Sequence, residues 1–536
     1  MKKRFNIQPI QLFAILVLLF TSFSCSDKTF DQQAGERITP DQHYKSMNDA
    51  NVSLAGAFAP LQKALPKLIM IDGLRSDQMI IRPNADPFLK DINAQILNFD
   101  NPYLDASDYY KVIVNVNETL ANIDKITLTD RNFNEFILKY TKGALVSLRS
   151  WTYLTLINLY GQAALIDDNL VAVPKDLSQN ILTRDVMIDT LINRLLPYIP
   201  RSDEFAQKVE LRFTNFMNTK AVLGQLYLEK GDYANAVKYL KMAIESYANN
   251  TYKVDGYKNE AWKSIFLGGE SLTGNIADDS REKPTPSENI SVMGYDQNEG
   301  QFNPLPKWFL PTDEFMVQPS QLLVDSFLVQ KSPGAIQGDI YRGLGTPASP
   351  GATLDTTSTG VYFINKYSMD KIEPFSTDIV ISRASDLHLM LAEALNRSGD
   401  SKTALVLLNA GFNSEKPVPP AYNKWNNNVG IRGRITLKPK LVPDSIFVAP
   451  ENIKKVALTS EEKVLYVEDL IMNERALELA FEGKRWFDLV RIATRRDDNA
   501  YLANKVAAKF TDPAEKEAVR SKLMDRLNWY LPFKKQ

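Results

Sequence analysis

Apolar residues recur along much of this chain at the three- and four-residue spacing of helices, and alternation with period two is scarce. The first long patterned stretches run over 43–65, 106–124 and 133–160. Gly161 follows the last of them and suits a left-handed C-cap. Two later stretches repeat one another in outline. Gly224, Tyr227, Gly231, Tyr233, Ala236, Leu240 and Ala243 fall on the spacing of a tetratricopeptide unit. Ala392, Leu395, Gly399, Ala404 and Leu408 fall at equivalent offsets, with Ser401 in the place of the aromatic. Gly224 and Ala236 are small where paired helices would cross, Gly231 permits the tight turn, and Tyr227 and Tyr233 fill the remaining space. Units of this kind cannot bury their faces alone. Degenerate repeats are therefore expected beside them, with the helices from Phe133 and Glu461 as candidates.

The pattern changes between about 250 and 377, and again over 412–448. Gly, Pro, Ser, Thr and Asn become frequent, as in Thr-Pro-Ala-Ser-Pro-Gly-Ala-Thr at 346–353. Long irregular tracts in a globular chain are usually functional or disordered. These two are studded with aromatics: Trp262, Tyr295, Trp308, Phe309, Tyr341, Tyr362, Tyr422 and Trp425. They read as loops built onto a helical scaffold. The predicted fold class is all-α, a tetratricopeptide-like α-superhelix with a loop-rich ligand-binding face and little β.

The amino terminus adds a destination. Lys2, Lys3 and Arg4 precede an apolar run from Leu12 to Phe20, which is too short to span a bilayer. Ser22 and Ser24 lead into Cys25, the only cysteine of the chain. Residues 1–24 are expected to be a lipoprotein signal peptide and Cys25 the lipidation site, with the polar residues that follow as a tether. One cysteine allows no intramolecular disulfide and no multi-thiolate metal site. His43 and His388, the only two histidines, have no paired spacing. No metal and no cofactor are expected. Lys plus Arg number 63 against 64 for Asp plus Glu, a net charge of -1. That balance argues against nucleic acid as a partner, since phosphate neutralisation needs a basic surplus.

The most distinctive string is Asn-Glu-Arg-Ala-Leu-Glu-Leu-Ala-Phe-Glu-Gly-Lys-Arg-Trp-Phe-Asp-Leu-Val-Arg at 473–491. Leu470, Leu477 and Phe481 form an apolar stripe. Glu474, Glu478 and Glu482 stack at i,i+4 spacing on another face and repel unless cations meet them. Arg475, Arg485 and Arg491 are the cations at hand. Gly483 breaks the run, and a second helix starts near Trp486 and Asp488. The motif reads as an architectural hairpin locked by ion pairs.

This string closely resembles the signature of the SusD/RagB family of outer-membrane nutrient-uptake lipoproteins. Other positions agree in order. Residues 142–149 and 159–161 resemble that family's early repeat helix. Residues 109–123 resemble its helix with an Asn at the place of Asn117. Lys366 and Tyr367, followed by 378–396, resemble its Lys-Tyr segment. Trp529-Tyr-Leu-Pro begins like the family's closing segment, and the sequence stops before the usual Asn-Pro tail. The resemblance implies a signal peptide at 1–24, an N-terminal helical region at 25–250 and a C-terminal region at 251–536. It implies capture of an oligosaccharide, or in some members a peptide, at the outer-membrane surface. It also implies a partner, a SusC-like TonB-dependent barrel.

A Gly-x-Ser-x-Gly elbow, a Walker A loop, a Rossmann fingerprint and an EF-hand are all missing from the sequence. A binding protein is therefore favoured over a glycan-degrading enzyme. The aromatic loops favour it over a helical adaptor that binds only protein. The ligand site is expected on the 290–345 loops, at Trp308, Phe309 and Tyr341 with Asp313 and Arg342 as polar partners. Trp308 is equally suited to plugging its own loop. The family's pattern adds an early loop within 72–103, and Tyr422 with Trp425 marks the alternative.

Overall fold

Helix accounts for 58% of the structure and strand for 9%, well above the roughly one-third helix of an average globular protein. The computed structural model describes residues 40–533, except 200–216, 255–287 and positions within 167–179, 247–253, 333–335, 347–352, 368–374, 413–417, 426–427 and 449–453. The first half contributes α1 (Met47–Phe58), α2 (Leu61–Arg75), α3 (Pro87–Asn93), α4 (Ser107–Asn122), α5 (Glu135–Tyr160), α6 (Arg184–Leu195), α7 (Thr219–Lys230) and α8 (Tyr233–Ile244). The second half contributes α9 (Leu305–Phe309), α10 (Gln321–Leu328), α11 (Ala384–Arg397), α12 (Ser401–Leu408), α13 (Ser460–Glu478), α14 (Arg485–Arg496), α15 (Asn499–Ala507) and α16 (Pro513–Leu523).

Local chemistry sets most of these boundaries. The single helix expected over 43–65 is two helices, because the chain turns at Ala59 and Pro60 and α2 starts afresh. Ser46 and Asp49 form a reciprocal capping box at the start of α1. Asn134 caps α5, and Gly161 ends it with φ +74°, as the pattern predicts. The α7–α8 pair turns at Gly231, at φ +82°, and Asp232 caps α8. Gly224 lies at the crossing of α7 and α8. A Cβ there would stand 2.6 Å from Leu240 Cγ. Tyr227 stacks on Tyr239 of α8, with centroids 5.4 Å apart and planes at 4°. The α11–α12 pair repeats this plan, turning at Gly399 with φ +92°.

The pairs stack side by side. α4 packs on α5, α5 on α6 and α7, α8 on α11, and α11 on α13. One apolar core runs through them from Tyr44 to Leu531, continuous across position 250. A smaller cluster under α14, α15 and α16 encloses Trp486 and Trp529. Arg75 of α2 binds this end of the chain. Its guanidinium lies 3.9 Å from the Trp486 ring and donates to the carbonyls of Asn528 and Trp529 at 2.6 and 3.0 Å. Leu531 N–H then donates to the Leu159 carbonyl at 2.7 Å. The described strands form two-stranded antiparallel ladders only. One of them, Met79–Ile81 against Val317–Pro319, ties the early loop after α2 to the irregular middle of the chain.

The glutamates of the signature string are buried, and their partners are not the neighbouring arginines. Asp339, Glu288, Glu474, Glu478 and Glu482 face Arg342, Lys366, Arg383, Arg432 and Arg434, so five carboxylates meet five cations out of water. Arg383 alone reaches Glu288, Glu478 and Glu482, at 2.6, 2.9 and 2.9 Å. Burial drives Glu478 toward its neutral form, but Arg434, Arg383 and Arg342 hold its carboxyl well below the usual range. Burial brings the Lys366 ammonium down to about 8, with Glu482 opposing the shift.

Arg475, Arg485 and Arg491 point elsewhere. Adjacent helix residues are turned about 100° apart, so Arg475 cannot share the face of Glu474. It meets Asp386 and Asp488 at 3.0 and 2.7 Å. Arg485 grips Asp77 at 2.8 and 2.7 Å, and Arg491 meets Glu393, Glu229 and Asp488. The turn between α13 and α14 has two left-handed residues, Phe481 at φ +64° and Gly483 at φ +70°. Gln78 accepts from the Phe481 N–H, Tyr367 donates to the Phe481 carbonyl, and Lys366 donates to the Ala480 carbonyl. The Lys-Tyr segment and the signature string are thus one structural device.

Gly224→Leu is expected to destabilise the protein by about 1–3 kcal/mol or more through overpacking against Leu240. Urea denaturation measures this, and wild-type stability would show the crossing to be misassigned. Arg383→Ala removes a cation shared by three buried carboxylates, each of which keeps at least one other, and is expected to cost about 3–5 kcal/mol. An unchanged melting temperature would mean that those carboxylates do not depend on it.

Candidate functional site

The ladder between Met79–Ile81 and Val317–Pro319 continues past its last pair, where Arg82 N–H donates to the Met316 carbonyl at 2.8 Å. The loop of residues 82–104 is thereby set beside the loop of residues 302–316. Each is stiffened from within. Asp86 caps α3 by accepting from Leu89 N–H at 3.0 Å, and its other oxygen accepts from the Tyr103 hydroxyl at 2.9 Å. Asn101 accepts from Tyr103 N–H and donates to the Phe88 carbonyl, at 3.0 and 3.1 Å. Across the gap, buried Asn303 donates to the Thr377 carbonyl and accepts from Leu305 N–H, which starts α9. Met316 N–H closes the second loop onto the Trp308 carbonyl at 3.0 Å.

Two aromatic rings meet between these loops. Tyr103 and Trp308 lie edge to face, with centroids 6.4 Å apart and planes at 66°. Both are half-buried, with one part packed on the core and another facing solvent. Burial raises the Tyr103 hydroxyl far above its ordinary value, and Asp86 adds to the effect, so the phenol stays protonated and donates to that carboxylate. The exposed ion pair of Lys307 and Glu314, at 2.6 Å, flanks Trp308, and Asp313 is exposed in the same loop. Phe88, Phe99 and Phe302 of these loops are also solvent-exposed. The arrangement offers flat apolar faces with hydrogen-bonding groups around them. Such a surface suits stacking and hydroxyl recognition.

Not every residue expected here belongs here. Phe309 is fully buried against Tyr367, at 5.9 Å between centroids, because α9 turns it inward when Trp308 faces out. Arg342 is fully buried in the carboxylate network. Neither leaves surface for a ligand, and both are removed from the candidate site. Tyr341 is half-buried. The alternative aromatics are interior as well. Phe412, Tyr422 and Trp425 pack on one another, and Trp425 donates to Glu245 at 2.9 Å. His388 lies against Trp425. Its Nδ1 donates to the Ala384 carbonyl and its Nε2 accepts from Asn428, which makes it a neutral core histidine. Tyr295 is buried with its hydroxyl on the Gln62 carbonyl. Trp262 and Cys25 lie outside the described residues. Sequence reasoning gave the 72–103 span but not Tyr103 or Asp86. The Asn101-Pro102 turn, which presents Tyr103, was the available signal. Among the described residues no helix is long and apolar enough to cross a membrane, and no cluster of His, Cys, Asp and Glu could hold a metal.

Comparison with known proteins bears on the whole arrangement. Residues 336–536 match the SusD family. A SusD-like protein of Formosa agariphila is 23% identical over 524 residues, covering 92% of each chain. A SusD superfamily protein from Bacteroides vulgatus superposes with a TM-score of 0.61 at 17% identity, over 89% of this chain and 93% of that one. A SusD-like carbohydrate-binding protein from Bacteroides fragilis superposes with a TM-score of 0.57 at 14% identity, over 88% of this chain and 93% of that one. At these identities the superpositions establish a shared fold.

Proposed function

The chain belongs to the SusD/RagB family, whose members are non-catalytic binding proteins, and from that premise we propose that it captures an oligosaccharide at the cell surface and delivers it to a SusC-like TonB-dependent barrel in the outer membrane. The observation that carries this reading is the Tyr103–Trp308 pair held at the surface by two stiffened loops. A sugar ring presents a patch of C–H groups ringed by hydroxyls. Aromatic rings stack on that patch at little entropic cost, because they have only two side-chain torsions. Asp86, Asp313, Lys307 and Glu314 supply charged groups near the rings for the hydroxyls. A fold-mate described as carbohydrate-binding supports the ligand class.

The membrane attachment in this reading is a lipid on Cys25 after loss of residues 1–24, supported by the short apolar run that ends at the sole cysteine. The polar residues after Cys25 then act as a tether between membrane and body.

Two outcomes are expected. In a calorimetric screen against soluble glycans and peptides, wild-type protein binds a glycan. Trp308→Ala, with an unchanged melting temperature, loses about 1–3 kcal/mol of that affinity, the range for removal of a stacking platform. Equal affinity in the variant would move the site away from this pair, and binding of peptides alone would replace the ligand class. Mass spectrometry of protein extracted from membranes should find an acylated Cys25 at the amino terminus. A chain that retains Met1 would refute the anchor.

A further inference from the structure

The ladder that places the Tyr103–Trp308 pair has a second end. Beyond Met79 and Pro319, the chain leads to Asp77 on one strand and to Ser320 and α10 on the other. There a cleft of about 490 Å³ opens between α10, α13 and α15. Its volume falls in the range of small-ligand sites. It shares no lining residue with the aromatic pair. Leu322 and Leu323 of α10 and Ala476 and Leu477 of α13 form apolar walls.

Most polar groups at this cleft are engaged, Asp77 by Arg485, Gln330 by the Ser326 carbonyl and Asn504 by Arg520, and the Lys505 ammonium lies 5.2 Å from the Tyr501 ring centroid. Lys505 of α15 and Lys440 line it, and neither ammonium forms an ion pair among the described residues. Arg485 also lines it but is engaged by Asp77. Asn473 lines it from α13, exposed, with no side-chain partner among the described residues. In the 473–491 string, the charged residues from Glu474 to Arg491 that were singled out are spent on internal ion pairs. Asn473 is the polar residue left facing out. Burial, with Arg485 adding to it, holds the Lys505 ammonium below its ordinary range, and burial with Arg432 does the same to Lys440. An anion delivered to the cleft would relieve both.

We propose that this cleft is a second binding site, for a small amphiphilic anion. Its apolar body lies along Leu322, Leu323 and Leu477. Its carboxylate or sulfate is held by Lys505, with Lys440 adding to the positive field and Asn473 donating a hydrogen bond. The site is independent of the glycan reading, since the two lie at opposite ends of one ladder and draw on different side chains.

Calorimetry on the full chain, purified in one detergent throughout, tests this with hexanoate, hexyl sulfate and neutral hexan-1-ol. Saturable binding is expected for at least one of the two anions, weakening as salt is added. Lys505→Gln should weaken it about tenfold, as for loss of one charged hydrogen bond, and Lys440→Gln should weaken it less. Both variants should keep the wild-type melting temperature, and hexan-1-ol should not distinguish them from wild type. The preferred anion identifies the head group. Absence of saturable binding by both anions, or equal affinity in wild type and Lys505→Gln, would overturn the proposal. A glycan affinity that survives in Lys505→Gln keeps this result separate from the Trp308 test.

Discussion

Glu474 and Glu478 occupy successive turns of α13, Glu482 lies in the turn that follows it, and all three are out of water. Each buried carboxylate costs several kcal/mol in lost hydration unless cations surround it. The helix that carries Glu474 and Glu478 does not supply those cations on the same face. They come instead from Arg342, Lys366, Arg383, Arg432 and Arg434. Four of these sit in or beside tracts with little regular structure, and Arg383 ends a strand at the start of α11. The irregular middle of the chain is therefore ordered by charge as much as by backbone hydrogen bonding. The buried carboxylates of the helical scaffold, in turn, are met by cations from those tracts. Scaffold and loops are one construction.

The same logic extends to the turn between α13 and α14. Its left-handed residues are held by Gln78 from the early loop and by Lys366 and Tyr367 from the middle. Gln78 and Arg485's partner Asp77 stand at the start of the strand whose ladder places Tyr103 beside Trp308. A few hydrogen-bonded residues thus connect the buried network to the surface pair. Binding geometry of this kind needs rings that do not have to be ordered when ligand arrives.

The helices and their glycine-marked turns were legible in the sequence because their signals are local: a period of 3.6, a small residue at a crossing, a glycine after the last turn. Gly161, Gly231 and Gly399 all fall where the pattern puts them. The candidate site was legible only in outline. Trp308 and Trp425 look alike in sequence, each in a proline-containing tract, yet one faces solvent in part and the other is sealed under Phe412 and Tyr422. Nothing local separates them. Arg342 looked like a surface residue because the carboxylates that bury it lie far along the chain, with Glu478 separated from it by 136 positions. Tyr103 was missed for the same reason, since its partner Trp308 arrives through a ladder between distant strands.

Those separations also order events in time. A chain made or translocated from its amino terminus presents Arg342, Lys366, Arg383, Arg432 and Arg434 before Glu474, Glu478 or Glu482. Until those glutamates follow, the five cations have only Glu288 and Asp339 of the network's carboxylates to meet. The early helix pairs, with contacts close in sequence, can form at once, whereas closure of the network waits for the last hundred residues and carries the entropy of long loops. A molecule interrupted at that stage is a helical half joined to a long segment whose buried cations lack the glutamates that close the network. The carboxyl-terminal third therefore supplies three of the five carboxylates on which the order of the earlier loops rests.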